Sequence, residues 1–186
     1  MAGGRGVRAS AALLAALLFL SACSKGRGEM IPTFELVDQS GAIVKSANLR
    51  GRVLVVSFVF TTCAEACPLI TAQLARTQSR VRTEKLAERV RFVSITLDPA
   101  TDRPDVLRRY ADRYGIDLAS WDFLTGAADE VGRVVRAFGL SAVARERIVH
   151  GSLVVLVDEK GRIAERRTDL ELDPERLLGS LRKLLG

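Results

Sequence analysis

The chain has 186 residues, 48% of them apolar and 27% charged, with a formal net charge of +6, three cysteines and a single histidine. That length and apolar content fit one domain with a real core plus a short targeting segment, and they exclude a disordered chain. The excess Arg and Lys is scattered, with no aromatic-interleaved basic stripe and no glycine-rich phosphate loop, which argues against nucleic-acid binding and for a solvated basic surface.

At the start of the chain, Arg5 and Arg8 precede an apolar run from Ala11 to Leu20. The run is too short to span a bilayer as a finished helix, and a basic start followed by an apolar middle is the layout of a secretory signal. It ends in Leu20-Ser21-Ala22-Cys23, which resembles the bacterial lipoprotein box. By that resemblance residues 1–22 are a lipoprotein signal peptide and cleavage leaves Cys23 as the lipid-modified first residue. An ordinary signal peptide or an uncleaved anchor would export the domain as well. Residues 23–30, small and polar with two glycines, read as a flexible tether, and residues 31–186 as one domain.

Within the domain, Phe34 to Val37 and Ile43-Val44 flank Asp38-Gln39-Ser40-Gly41 and predict a strand pair around a turn. Val53 to Phe60 is a β-rich apolar run and predicts a buried central strand. Pro68 suits the first position of a helix, and the roughly helical spacing of Leu69, Ile70, Leu74 and Val81 carries that helix to about Ala87. Phe92 to Leu97 predicts a second strand closed by Asp98-Pro99, and Asp102 is placed to cap a helix that stops near Gly115. Trp121 to Thr125 predicts a short strand, and Ala127 to Phe138 a helix stopped by Gly139. Leu153 to Val157 turns through Glu159-Lys160-Gly161 into a strand at Arg162 to Arg166, and Asp173-Pro174 opens a last helix to Leu184. Strands alternating with helices and a closing hairpin predict an α/β sandwich with a mixed sheet.

Chemistry concentrates where the central strand ends. Cys63 and Cys67 stand on the turn from strand to helix, over the helix's positive end, which favours thiolate, the form that attacks disulfides and binds soft metals. A structural disulfide closing so small a loop would stabilise little in the chain-entropy model, so a redox or metal pair is the better account.

Several separate stretches resemble the SCO/SenC family. Phe60-Thr61-Thr62-Cys63-Ala64-Glu65-Ala66-Cys67-Pro68 is similar to its cysteine motif, Leu97-Asp98-Pro99 through Pro104 to its second-strand exit loop, and Trp121 to Gly126 to another characteristic block. His150 stands before the apolar strand at Leu153, where the family keeps a metal-binding histidine. The resemblance runs from about Ile31 to Leu184 and implies a thioredoxin-like fold, a central mixed sheet flanked by helices with an N-terminal strand pair. It implies a copper metallochaperone rather than an enzyme, with copper held by Cys63, Cys67 and His150 and delivered to the subunit of cytochrome c oxidase that carries the dinuclear copper centre. The protein would be lipid-anchored through Cys23 to a bacterial membrane, facing the periplasm or the outer face of the cytoplasmic membrane. Two thiolates and an imidazole form a small N/S site suited to copper, as Cu(I), which thiolates select, or as Cu(II); zinc would prefer a fourth ligand, and a blue-copper centre needs two histidines. The alternative implied is a thiol–disulfide oxidoreductase, with Cys63 attacking and Cys67 resolving. Two positions depart from the family pattern: Ala64 follows the first cysteine in place of Pro, and Val149 precedes the histidine in place of Asp.

Overall fold

The computed structural model describes residues 28–64, 66–140, 153–168 and 172–186. Strands β1 (Glu35–Val37) and β2 (Ile43–Lys45) form a separate antiparallel hairpin, followed by a 3-10 turn at Ser46–Leu49. The main sheet is built from β3 (Val53–Val59), β4 (Val90–Thr96), β5 (Trp121–Leu124), β6 (Val154–Val157) and β7 (Ile163–Arg167) in the order β5-β4-β3-β6-β7. β3, β4 and β5 are parallel, whereas β6 and β7 run antiparallel to their neighbours, so the sheet is mixed. The helices are α1 (Ala66–Thr83), α2 (Pro104–Arg113), α3 (Ala128–Ala137) and α4 (Pro174–Leu185).

The sheet is covered on both faces, which explains why every residue of β3 is buried and why its sequence is almost continuously apolar. Alternation divides the strand between two cores. Val53, Val55 and Val59 face a cluster with Ile70 and Leu74 of α1, Leu107 and Tyr110 of α2, and Leu177 and Leu181 of α4. Leu54, Val56 and Phe58 face Leu36 of the hairpin and Val131, Val134 and Phe138 around α3. Ser57 falls on the first face and is accommodated by hydrogen bonding: its hydroxyl lies 2.8 Å from that of Ser94, which also accepts from Trp121 Nε1 at 2.9 Å.

Three local expectations change. The first helix starts two residues before Pro68 and ends at Thr83, short of Ala87. Its stop carries no glycine: Lys85 takes a positive φ of 60°, and Leu86 N–H reaches back to Val81 C=O at 2.9 Å, closing the helix in a Schellman-type turn. Asp102 does not cap α2, whose N-cap is Arg103; it points into the interior instead. The last strand lies one residue later than the hydropathy pattern suggests, after a turn made by Gly161 at φ 82°. Asp173 caps α4 as expected, accepting from the N–H groups of Glu175 and Arg176.

The folded unit takes in residues grouped above with the tether. Ile163 N–H donates to Glu29 C=O at 2.7 Å, Ile31 N–H to Gly161 C=O at 3.0 Å, and Met30 bridges to Arg162. Residues 29 to 31 therefore lie along the edge of β7.

Candidate functional site

β3 delivers the chain to the C-terminal edge of its parallel neighbours, and the cysteine loop begins there. After Phe60 the backbone turns, Cys63 N–H donating to Phe60 C=O at 3.1 Å. The next turn is the start of α1, where Cys67 N–H donates to Cys63 Sγ at 3.4 Å. The first N–H groups of a helix lack intrahelical partners, and the Cys63 sulfur takes the place of a capping oxygen for one of them. Both sulfurs are thereby held on one turn, without a disulfide between them.

The two are not equivalent. Cys63 is half-buried at the rim, whereas Cys67 is 3% exposed, packed among the apolar residues under the sheet. Burial pushes the Cys67 thiol up to about 12; a hydrogen bond with the Phe60 backbone works against this, while contact with Cys63 and the charge of Asp102 add to it. The helix-terminus argument from sequence thus fails for Cys67: its sulfur lies inside the first turn, where loss of water outweighs the helix dipole.

Below the loop lies a residue set that the sequence did not reveal. Asp102 is fully buried. Its carboxylate accepts from Thr61 N–H at 3.2 Å, from Thr61 Oγ1 at 2.5 Å and from Thr96 Oγ1 at 2.6 Å. Thr96 Oγ1 in turn accepts from Asp98 N–H at 2.9 Å. Thr61, just past β3, and Thr96, at the end of β4, are joined through one carboxylate, and Cys63 follows Thr61 by two residues. An Asp shortly before a helix in the sequence is indistinguishable from a cap, which is why this role escapes a linear reading. Deeper in, the Tyr110 hydroxyl lies 2.9 Å from Thr71 Oγ1, and burial pushes its ionisation upward.

The outer side of the loop is open. Phe60, Thr62, Leu97 and Asp98 line a depression of about 330 Å³, and Leu69 in the first turns of α1 is 46% exposed. Among the described residues no three His, Cys, Asp or Glu side chains cluster as a metal site. His150, Glu65, Val149 and Cys23 lie outside the described residues, as does the expected signal segment. Among the described residues no helix is long and apolar enough to cross a membrane.

Comparison with known proteins bears on the whole domain. The family model described as SCO1/SenC matches residues 23–186. A SCO1/SenC family lipoprotein from Bacillus anthracis is 27% identical, with 89% of this chain and all of the other covered and a TM-score of 0.77. BsSco, described as a member of the Sco family of cytochrome c oxidase assembly proteins with a disulfide switch, is 26% identical, covering 85% and 94% of the two chains with a TM-score of 0.74. Yeast Sco1, solved with copper bound, shares the fold at 24% identity, with 86% and 94% covered and a TM-score of 0.71. The fold is thioredoxin-like, with the mixed central sheet and N-terminal strand pair expected from the sequence.

Proposed function

The chain belongs to the SCO1/SenC family, and from that membership we propose that it is a copper carrier in cytochrome c oxidase assembly, exported and anchored by a lipid on Cys23. Copper is its cargo, held by Cys63, Cys67 and His150 and passed to the oxidase subunit with the dinuclear copper centre. The observation that carries this reading is the hydrogen bond from Cys67 N–H to Cys63 Sγ, which gathers two soft donors on one turn. The donor set fits the metal: sulfur ligands select Cu(I), and a low coordination number leaves room for an incoming ligand from the partner.

His150 is supported by topology. β6 pairs antiparallel with β3, Val154 opposite Ser57, so the chain enters β6 from the end of the sheet to which β3 carries Cys63. Four peptide links separate His150 from Val154, a reach of about 13 Å when extended. Yeast Sco1 solved with copper bound supports the cargo, and BsSco, a member of a family of cytochrome c oxidase assembly proteins, supports the client class. The open depression at Phe60, Thr62, Leu97 and Asp98 supports approach of a partner ligand from the Cys63 side.

Titrating the reduced protein with Cu(I) beside His150→Ala and Cys63→Ser tests the proposal. One-to-one binding that collapses in both variants is expected; binding indifferent to both substitutions overturns it.

A second reading, thiol–disulfide exchange with a partner, is favoured by the adjacency of the sulfurs and by the disulfide switch described for BsSco. In that reaction the rim thiolate of Cys63 attacks a partner disulfide, one partner sulfur leaves as thiolate, and Cys67 displaces the second to give an intramolecular disulfide. The measured reduction potential of the Cys63–Cys67 pair decides whether a partner's cysteines can be reduced.

A further inference from the structure

The sheet has two ends of different character. β3 runs from Val53 to Val59 and delivers Cys63 at one of them. At the other, Gly51 N–H donates to Glu159 C=O at 2.8 Å, which sets the β6–β7 turn beside the start of β3. About 20 Å of strand lies between the two ends.

The N-terminal segment enters the fold at the end away from the cysteines. Ile31 N–H is bonded to Gly161 C=O, Ile163 N–H to Glu29 C=O, and the Glu29 carboxylate to Arg166 at 2.7 Å. A Cβ placed on Gly161 would stand 3.4 Å from Met30 Cε and 3.7 Å from Arg50 Nε, so the N-terminal strap, the 3-10 turn exit and the β6–β7 turn converge on that glycine. Only five peptide links separate Gly28 from Cys23, a reach of at most about 18 Å. Whatever holds Cys23 holds this end of the domain close to it.

The same end is basic. Arg50, Lys160 and Arg162 are exposed, and among the described residues none of the three forms an ion pair with a carboxylate. The local acids are engaged elsewhere: Glu159 with Arg89, Glu29 with Arg166, and Asp158 with the backbone N–H groups of Lys160 and Arg162. Met30, 45% exposed, adds an apolar side chain in the middle of the cations. Unpaired cations around an exposed apolar residue suit the headgroup region of an anionic bilayer, where Coulomb attraction and shallow apolar burial act together.

We propose that the face formed by Arg50, Lys160, Arg162 and Met30 docks on anionic lipid headgroups of the membrane that carries Cys23, turning the Cys63–Cys67 loop away from the bilayer. This rests on the lipid-anchor reading above. The docked domain presents its cysteines to a partner domain that projects from the membrane, and the short tether limits tumbling that would bury the loop against lipid.

The chain's sole tryptophan provides the test. Trp121 is level with Phe92 and Val55, in the half of the sheet nearer the basic end. Energy transfer from Trp121 to dansyl-headgroup lipid is measured for the mature lipidated protein on phosphatidylcholine vesicles and on vesicles containing phosphatidylglycerol. Docking predicts greater transfer on the anionic vesicles, an excess lost in high salt because screening shortens the attraction. The excess is also lost in the triple variant Arg50→Glu, Lys160→Glu, Arg162→Glu. Equal transfer on both vesicles, or an excess that survives both high salt and charge reversal, overturns the docking. The salt comparison needs no variant and decides the matter even where charge reversal harms folding. Flotation with neutral vesicles tests the anchor separately: a protein that floats yet shows no lipid dependence keeps its anchor and loses the docking face, whereas one that does not float overturns both.

Discussion

The buried carboxylate of Asp102 receives both the backbone N–H and the hydroxyl of Thr61, two residues before Cys63. The same carboxylate receives Thr96 from the neighbouring strand, so the start of the cysteine loop is fixed to the exit of β4 rather than left to its own turn preference. A loop proposed to hold two sulfurs for one metal ion gains from a rigid base of this kind.

Removing this anchor strands three donors. Asp102→Ala leaves Thr61 N–H and two hydroxyls without their acceptor in a buried place, at a cost of about 2–4 kcal/mol. Asp102→Asn keeps the shape and one good acceptor, and its cost is smaller, about 1–2 kcal/mol. Urea unfolding of both variants checks the order; equal stability of wild type and Asp102→Ala would contradict the assigned role.

The two cysteines differ in reactivity because they differ in burial. At neutral pH iodoacetamide is expected to modify Cys63 first and Cys67 at least about ten-fold more slowly, since only thiolate in contact with solvent reacts. Peptide mass mapping over time reads the order directly.

The same buried thiol gives stability a pH dependence. In the folded chain the Cys67 proton is held up to about 12, above the unfolded thiol value of about 8.5. The stability that this neutral thiol contributes is complete below the unfolded value and is lost as pH rises from there toward the folded value, because the unfolded chain releases its proton first. The loss is about 1.4 kcal/mol per pH unit within that window. Unfolding free energies at about pH 8 and pH 10 should therefore diverge between the reduced wild type and Cys67→Ala, the variant having the flatter profile.

Copper capture has the opposite slope. With thiolates as the proposed ligands, each thiol that still carries its proton must release it on binding, and apparent Cu(I) affinity is expected to rise by up to about ten-fold per pH unit for each proton released. Competition titrations across neutral pH should show a rising affinity; a pH-independent constant would mean that Cys67 is not a ligand.

A stabilising substitution also follows from the end of α1. Lys85 adopts a left-handed conformation, with φ 60°, where side chains with a Cβ are disfavoured. Lys85→Gly is expected to raise stability by about 0.5–1 kcal/mol, visible as a higher urea midpoint with unchanged slope.

What the sequence determined by itself is local in origin. Strand and helix order followed from periodicity and turn residues, and the two-sided burial of β3 from its unbroken apolar run. The place of Cys63 and Cys67 at a strand-to-helix turn came from Pro68 and the residues around it. The tertiary structure decided what depends on groups far apart in the chain. Asp102 lies 41 residues from Thr61, and their contact converts an apparent helix cap into the base of the cysteine loop. Cys67 reads as a helix-terminus thiolate until the core closes over it and excludes water. Residues 29 and 30 read as tether until β7, more than a hundred residues later, offers its edge for pairing. Propensity and capping act over a few residues and are written in the local sequence; burial and long-range hydrogen bonding arise only when the sheet is assembled.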